Sequence, residues 1–291
     1  MKQLIQSEYQ GKAGQERYAD LTQSTTYFNA VAPAYFRRYE ERSPGGYALR
    51  VRKQRVMELL GKRGGKVLDV GCGPGVMAQD LIDLGLEYWG VDASSKMVEE
   101  CHKNLGHLTQ ARFSVGDATC LDYPDGVFDT AICLGVIGCI SDYESAIREM
   151  LRVLKPGGEL LITLPNRYSP WALWRIAVFY PLVSLLRPLY FSLIGRPQPP
   201  VLYSGLIRNF RVPVLKTFAK LNSERDVKEL VERYACEVTD VVYYDFNVLL
   251  SPLDEILPRF AMWVAERLER CHSGRLRWLG TGFILKARKT P

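Results

Sequence analysis

Val67-Leu68-Asp69-Val70-Gly71-Cys72-Gly73-Pro74-Gly75 is a short apolar run that ends in three alternating glycines. The run reads as a buried strand, and the glycines as a tight turn into a helix over about 76–84. Glycine lets a ligand approach the main chain closely. The helix behind the turn offers unpaired N–H groups to something anionic. Position 76 is Val, where a nicotinamide-dinucleotide loop needs Gly or Ala, and no Gly-Lys-Ser/Thr follows, which excludes a P-loop.

Downstream, apolar runs alternate with helical patterns at the spacing of a parallel sheet. After the strand Lys66–Val70, further strands are expected at Tyr88–Val91, Ala111–Val115, Thr130–Leu134 and Glu159–Leu164, the last launched by the turn Lys155-Pro156-Gly157-Gly158. Helices are expected over about 95–105 and 142–153, then from a Ser223 cap to about Tyr234, with late strands at Glu237–Phe246 and Thr281–Ala287. This order predicts an α/β fold, a doubly wound Rossmann-like sheet that binds ligands at the carboxyl ends of its strands.

Those ends carry acids. Asp92 lies 21 residues after Gly71, where a carboxylate can grip both ribose hydroxyls of a nucleoside. Asp117 ends the third strand. One such acid reads as a cap or turn residue; Asp69, Asp92 and Asp117 together with the glycine loop read as a site.

These motifs, with Gly116-Asp117-Ala118, Gly126-Val127-Phe128-Asp129 and Arg152-Val153-Leu154-Lys155-Pro156-Gly157-Gly158, resemble class I S-adenosylmethionine-dependent methyltransferases over about Val67–Leu164. The likeness is to the broad group that includes ubiquinone/menaquinone-biosynthesis methyltransferases. It implies S-adenosylmethionine as cofactor and a seven-stranded sheet of order 3-2-1-4-5-7-6 with strand 7 antiparallel. It also implies site roles. Gly71, Cys72, Gly73 and Gly75 would hold the methionine part, with Asp69 bracing the loop or meeting the amino group. Asp92 would accept from the ribose, Ala93 and Met97 would pack on adenine, and Asp117 and Ala118 would meet the adenine edge. Leu134 and Gly135 would face the methionine end, and Tyr35, in a segment resembling a cofactor-closing helix, would touch the cofactor.

The net charge of +6 is unevenly placed. Residues 165–222 hold eight basic residues and no acid, so the rest of the chain carries the other 30 basic residues against all 32 acidic ones. The first half of this stretch is apolar and aromatic, with Ser169-Pro170 opening a helix that Pro181 should break or kink, and Gly195–Pro200 as an extended loop. It reads as a helical cover over the substrate, whose outer face can lie on an anionic membrane. Nucleic acid is disfavoured by so much Leu, Ile and Val. The expected division is 1–50 as N-terminal cap helices, 51–164 as the cofactor half of the core, 165–222 as the basic insert, and 223–291 as the rest of the core with a helical insertion near 247–280. That insertion holds an amphipathic helix, Arg259–Arg270, with Phe260, Trp263, Val264 and Leu268 on one side.

An apolar cover predicts methyl transfer to a small lipophilic molecule such as a quinone, a lipid-linked intermediate or a polyketide-like metabolite. Protein or RNA methylation is the alternative, and a non-catalytic cofactor- or membrane-binding module comes third. No catalytic residue is assigned. His102, His107 and His272 have no evident partner, and no histidine stands near Gly138 or Cys139, where many relatives carry one. Asp142, Tyr143, Asn166 and Tyr168 are expected in loops bordering the site. Seven cysteines without a C-x-x-C pair predict neither a disulfide framework nor a zinc site. With no signal-peptide pattern at Met1–Glu8 and no long charge-free apolar run, the expected location is cytoplasmic, extending to the inner face of a membrane. Nothing in the sequence specifies an oligomer.

Overall fold

The computed structural model describes residues 12–60, 64–179, 181–183, 185–186, 223–250, 252–270 and 276–290. Its centre is a seven-stranded sheet: β1 (Gly65–Val70), β2 (Leu86–Asp92), β3 (Ala111–Val115), β4 (Phe128–Leu134), β5 (Leu154–Pro165), β6 (Cys236–Tyr244) and β7 (Gly282–Lys289). Their order is β3-β2-β1-β4-β5-β7-β6, and β7 runs antiparallel to both its neighbours. The fold class is as the element order predicts, and strand order and sense are as the resemblance implies.

Alternation along the strands divides the core. Leu68 and Val70 of β1 face one way, onto α5 (Tyr143–Val153) and α7 (Glu224–Arg233). Val67 faces the other, among buried residues of α2 (Pro44–Leu60), α3 (Ala78–Asp83), α4 (Ser95–Leu105) and α9 (Pro258–Arg270). The helices begin where short polar side chains can cap them. Ser94 accepts from the Met97 amide, Asp142 from Ser145, and Ser223 forms a reciprocal capping box with Asp226. The N-terminal helix α1 (Lys12–Tyr35) lies across α4. Its Asn29 carboxamide oxygen accepts from the Ser94 hydroxyl at 2.7 Å and the Lys96 amide at 3.3 Å.

Two local expectations change. The turn at 155–158 lies inside β5: pairing jumps from Phe128↔Leu154 to Thr130↔Glu159, so the Pro-Gly-Gly residues bulge out of a continuous strand. After α6 (Pro170–Trp174), capped by Ser169, the chain loosens into a π-helical turn at Arg175–Phe179 before Pro181. The expected loop at 195–200 and His272 lie outside the described residues.

Inserting β7 between β5 and β6 buries ionised groups. Glu159 in β5 is 2% exposed and pairs with Lys286 of β7 at 3.1 Å and with Arg288 at 3.2 Å. Lys286 also donates to the Leu59 carbonyl at 2.9 Å, tying α2 to the sheet. Replacing Lys286 with Met leaves Glu159 half-neutralised in the core, at an expected cost of about 3 kcal/mol. Urea unfolding should show a lower midpoint with unchanged slope; a shift worth under about 1 kcal/mol would show the pair adds little.

Candidate active site

The carboxyl ends of β1, β2 and β4, with the turn after β3, surround one cavity that α1 and the turn Phe36–Tyr39 roof over. On its floor the glycine loop folds back onto β2, where the Gly71 and Cys72 amides donate to the Val91 carbonyl at 2.7 and 3.1 Å. Gly73 has φ +55°, and a Cβ there would meet nothing within 4 Å. The loop thus presents bare main chain to open space, a cradle that any side chain would fill.

Asp92 reaches over this loop. One carboxylate oxygen accepts from the Gly73 amide and the other from the Ser94 amide, both at 2.8 Å. Each oxygen keeps a lone pair for a further donor, so the group can take two vicinal hydroxyls. Burial raises its pKa, and the two amides pull it back. Beyond it, Asp117 accepts from the Thr119 amide at 2.9 Å. The buried Thr119 hydroxyl has no hydrogen-bond partner among the described residues, leaving a polar atom for a ligand to satisfy.

The other end of the cavity holds opposite charges. Asp69 is 2% exposed and accepts from the Tyr88 hydroxyl at 2.7 Å. Burial pushes its carboxyl up to about 7; Asp92 adds to this, while Tyr88 and Arg52 oppose it. Facing it is Arg52 of α2, whose Nη2 donates to the Tyr39 hydroxyl at 3.2 Å. Burial works against the guanidinium's charge, but Tyr39, Tyr244 and Tyr35 hold it protonated. No carboxylate among the described residues lies within ion-pair reach of Arg52. Gly135, at φ +76°, makes room for it: a Cβ there would lie 2.3 Å from Arg52 Nη1. A carboxyl that favours a cation and an uncompensated guanidinium together match the two ends of a free α-amino acid.

Tyr35, Asp69, Gly71, Cys72, Gly73 and Asp92 all line this cavity, as do Ala93, Met97, Asp117, Ala118, Leu134 and Gly135. Gly75 does not. Its Cα points at Leu105, Phe113 and Cys101, so it serves the packing of α4. Asp142, Tyr143, Asn166 and Tyr168 also lie outside the lining. Asp142 caps α5, and Asn166 donates to the Trp278 and Gly280 carbonyls. The exposed His102 ring packs against Phe113. The lining thiols are poor nucleophiles: Cys72 is raised by its hydrogen bond with Cys101 and by burial, and Cys139 is pushed up to about 11 by burial.

Sequence reading missed Arg52 because α2 carries four basic residues in six positions. Three are tied elsewhere: Arg50 to the Tyr39 and Glu41 carbonyls, Lys53 to the Val76 carbonyl, and Arg55 to Glu269. The linear pattern gives no way to pick the fourth.

Residues 68–162 match the family described as a methyltransferase domain. The chain is 32% identical over 150 residues to the demethylmenaquinone methyltransferase of Beutenbergia cavernae, an alignment covering 51% of this chain and 61% of that protein. The chain thus spans about three fifths of that relative's length. It is 28% identical over 221 residues to a ubiquinone biosynthesis O-methyltransferase of Pseudomonas putida, covering 70% of this chain and 93% of the other. Its fold matches a SAM-dependent methyltransferase from Thermotoga maritima with a TM-score of 0.54, at 18% identity, over 90% of this chain and 98% of that one.

The bare cradle at Gly73, the two-oxygen acceptor Asp92 and the orphan Thr119 hydroxyl suit a nucleoside, and Arg52 with Asp69 suits an amino acid. S-adenosylmethionine joins these two parts in one molecule. Through residues 68–162 the chain thus matches the methyltransferase-domain family, and its sheet order and donor set fit S-adenosylmethionine as cofactor.

Proposed function

We propose that the chain transfers a methyl group from S-adenosylmethionine to a small lipophilic acceptor at the surface of an anionic membrane. The bound cofactor supplies an electrophilic methyl on a sulfonium, and the protein's task is positioning. In this reading Asp92 accepts from the ribose hydroxyls, while Asp117 and Ala118 meet the adenine edge. Asp69 takes the amino group and Arg52 the carboxylate. Ala93 and Met97 pack on the base, and Leu134 and Gly135 border the methionine end.

The observation that carries the substrate class is the remaining lining. Leu21, Phe28, Tyr35, Val136 and Ile140 line the cavity, alongside Ser24, Thr25, Tyr39 and Ser141. The quinone-biosynthesis names of the two relatives support the same class. No histidine lies among the described lining residues, so the acceptor should bring an acidic proton of its own, as a phenol or enol does. Residues 1–50 serve here as the cap, 51–164 as the cofactor half, 165–222 as the substrate cover, and 223–291 as the return to the sheet.

The membrane surface rests on a different face. Among the described residues no helix is long and apolar enough to cross a membrane. Yet α6 and the following turn expose Leu173, Ile176 and Val178, while α8 (Leu253–Ile256) and α9 expose Leu253, Ile256, Phe260 and Trp263. The Trp171 indole donates to Asp254 at 3.0 Å, which joins the two groups into one face. The buried side of α9 is Ala261, Ala265 and Glu269, while Phe260 and Trp263, half exposed, stack on each other at 5.9 Å. Exposed Arg259, Arg267 and Arg270 flank them; in the sequence the stretch 165–222 holds eight basic residues and no acid, of which only Arg167 and Arg175 are among the described residues. Aromatic and aliphatic groups ringed by arginine suit an anionic interface.

Labelled methyl from S-adenosylmethionine, offered with a host cell extract, should appear in the organic-soluble fraction. Label in protein or RNA would overturn the lipophilic-acceptor reading. Asp92→Ala should weaken S-adenosylhomocysteine binding at least tenfold, the scale of one hydrogen bond to a charged group, and lower turnover with it. The protein should sediment with phosphatidylglycerol vesicles but not with phosphatidylcholine ones, and less so in high salt. Phe260→Ser with Trp263→Ser should reduce that sedimentation severalfold; unchanged sedimentation would remove this face from the proposal.

A further inference from the structure

Tyr39 closes the turn Phe36–Tyr39 that roofs the cavity, and α2 holds it at two points. Arg50 Nη1 donates to the Tyr39 and Glu41 carbonyls, both at 2.8 Å. Two residues further along the helix, Arg52 Nη2 donates to the Tyr39 hydroxyl at 3.2 Å. Gly46 lets the first turn of α2 come this close, since a Cβ there would run into the Glu41 carbonyl and lie 2.9 Å from that of Arg38. The turn also closes on itself, with the Glu40 and Glu41 amides donating to the Arg37 carbonyl at 3.0 and 3.1 Å. Main chain and side chain of Tyr39 are thus fixed to the helix that carries Arg52, and both residues line the cavity.

A phenol that accepts from a guanidinium still has its own proton to give. No acceptor among the described residues takes the Tyr39 proton. Arg52 spends one N–H on Tyr39 and has others to offer. The pair therefore presents an O–H donor and N–H donors side by side, with a positive charge behind them. Paired donors at that spacing suit the two oxygens of one carboxylate. The phenol adds a hydrogen bond without cancelling the guanidinium charge, which a carboxylate at position 39 would do.

We propose that Tyr39 is a second donor to the carboxylate of the cofactor's amino-acid end, so that the roof turn and α2 grip that group together. The proposal rests on the reading above that Arg52 receives that carboxylate. It gives the roof a part in telling the whole cofactor from its nucleoside fragment. It also accounts for Arg50, whose guanidinium holds the main chain of the turn, and for a glycine at 46.

Two ligands separate a direct donor from plain packing. S-adenosylhomocysteine carries the amino-acid end; 5′-methylthioadenosine has the same nucleoside and thioether without it. In calorimetric titrations Tyr39→Phe should raise the Kd for S-adenosylhomocysteine about tenfold, the scale of one hydrogen bond to a charged group, and leave 5′-methylthioadenosine within about twofold. In an Arg52→Met background, Tyr39→Phe should still weaken S-adenosylhomocysteine by at least about threefold. Arg50→Met, which frees the turn, should act in the same direction and carries the test if Tyr39→Phe unfolds. Equal weakening of both ligands, or of neither, overturns the proposal. No further loss in the Arg52→Met background would show that Tyr39 acts only through Arg52, and overturns it too. If Arg52→Met itself leaves S-adenosylhomocysteine binding unchanged, the carboxylate reading fails first and the proposal falls with it.

Discussion

Parallel pairing of β1 with both β2 and β4 brings three strand ends together at the middle of the sheet. The chain winds outward from β1 to β3 on one side and from β4 onward on the other, so a crevice opens where direction reverses. The glycine loop and the acids of the cavity are placed by that reversal, and Arg52 reaches it from α2. The glycine loop leaves β1, Asp92 ends β2, Asp117 follows β3 and Gly135 follows β4. The two cores on the faces of the sheet leave that edge free of packing duty.

The crevice is expensive to build without a ligand. Asp69 is buried with one strong hydrogen-bond partner, and Arg52 is half-buried with the Tyr39 phenol as its partner. Burying charge without a counter-charge is unfavourable, and here the two opposite charges line one cavity without pairing directly. A zwitterion bound between them would neutralise both. The nucleoside end follows the same logic on a smaller scale, since Asp92 spends each oxygen on one amide and Thr119 keeps an unused hydroxyl. Polar groups left short of partners on one concave surface are how a rigid α/β frame specifies a ligand.

Much of this was legible in the sequence, for identifiable reasons. Strand alternation, the Gly71-Cys72-Gly73 turn and the acids at strand ends are local signals, and the sheet order followed from a resemblance carried by those same residues. Contacts made across the fold were not legible. Arg52 is one of four basic residues on its helix, and only the tertiary ties of the other three single it out. The pattern of α9 reads as an amphipathic helix without saying which side packs inward; the structure buries the small residues Ala261 and Ala265 and leaves Phe260 and Trp263 outward. Asn166 reads as a loop residue bordering the site, and the fold uses its carboxamide to satisfy main-chain carbonyls instead.

Recognition of a zwitterion by Asp69 and Arg52 would fix both the cofactor and its orientation in the cavity. Proton release measures it directly. Burial pushes the Asp69 carboxyl up to about 7, so the free protein holds part of a proton there at pH 7, and a bound ammonium group would drive it off. Calorimetric titration with S-adenosylhomocysteine in buffers of different ionisation enthalpy should show net proton release at pH 7, and release should fade as pH rises and vanish in Asp69→Asn. Binding with no proton exchange at pH 7, or the same release from 5′-methylthioadenosine, which has no amino group, would contradict it.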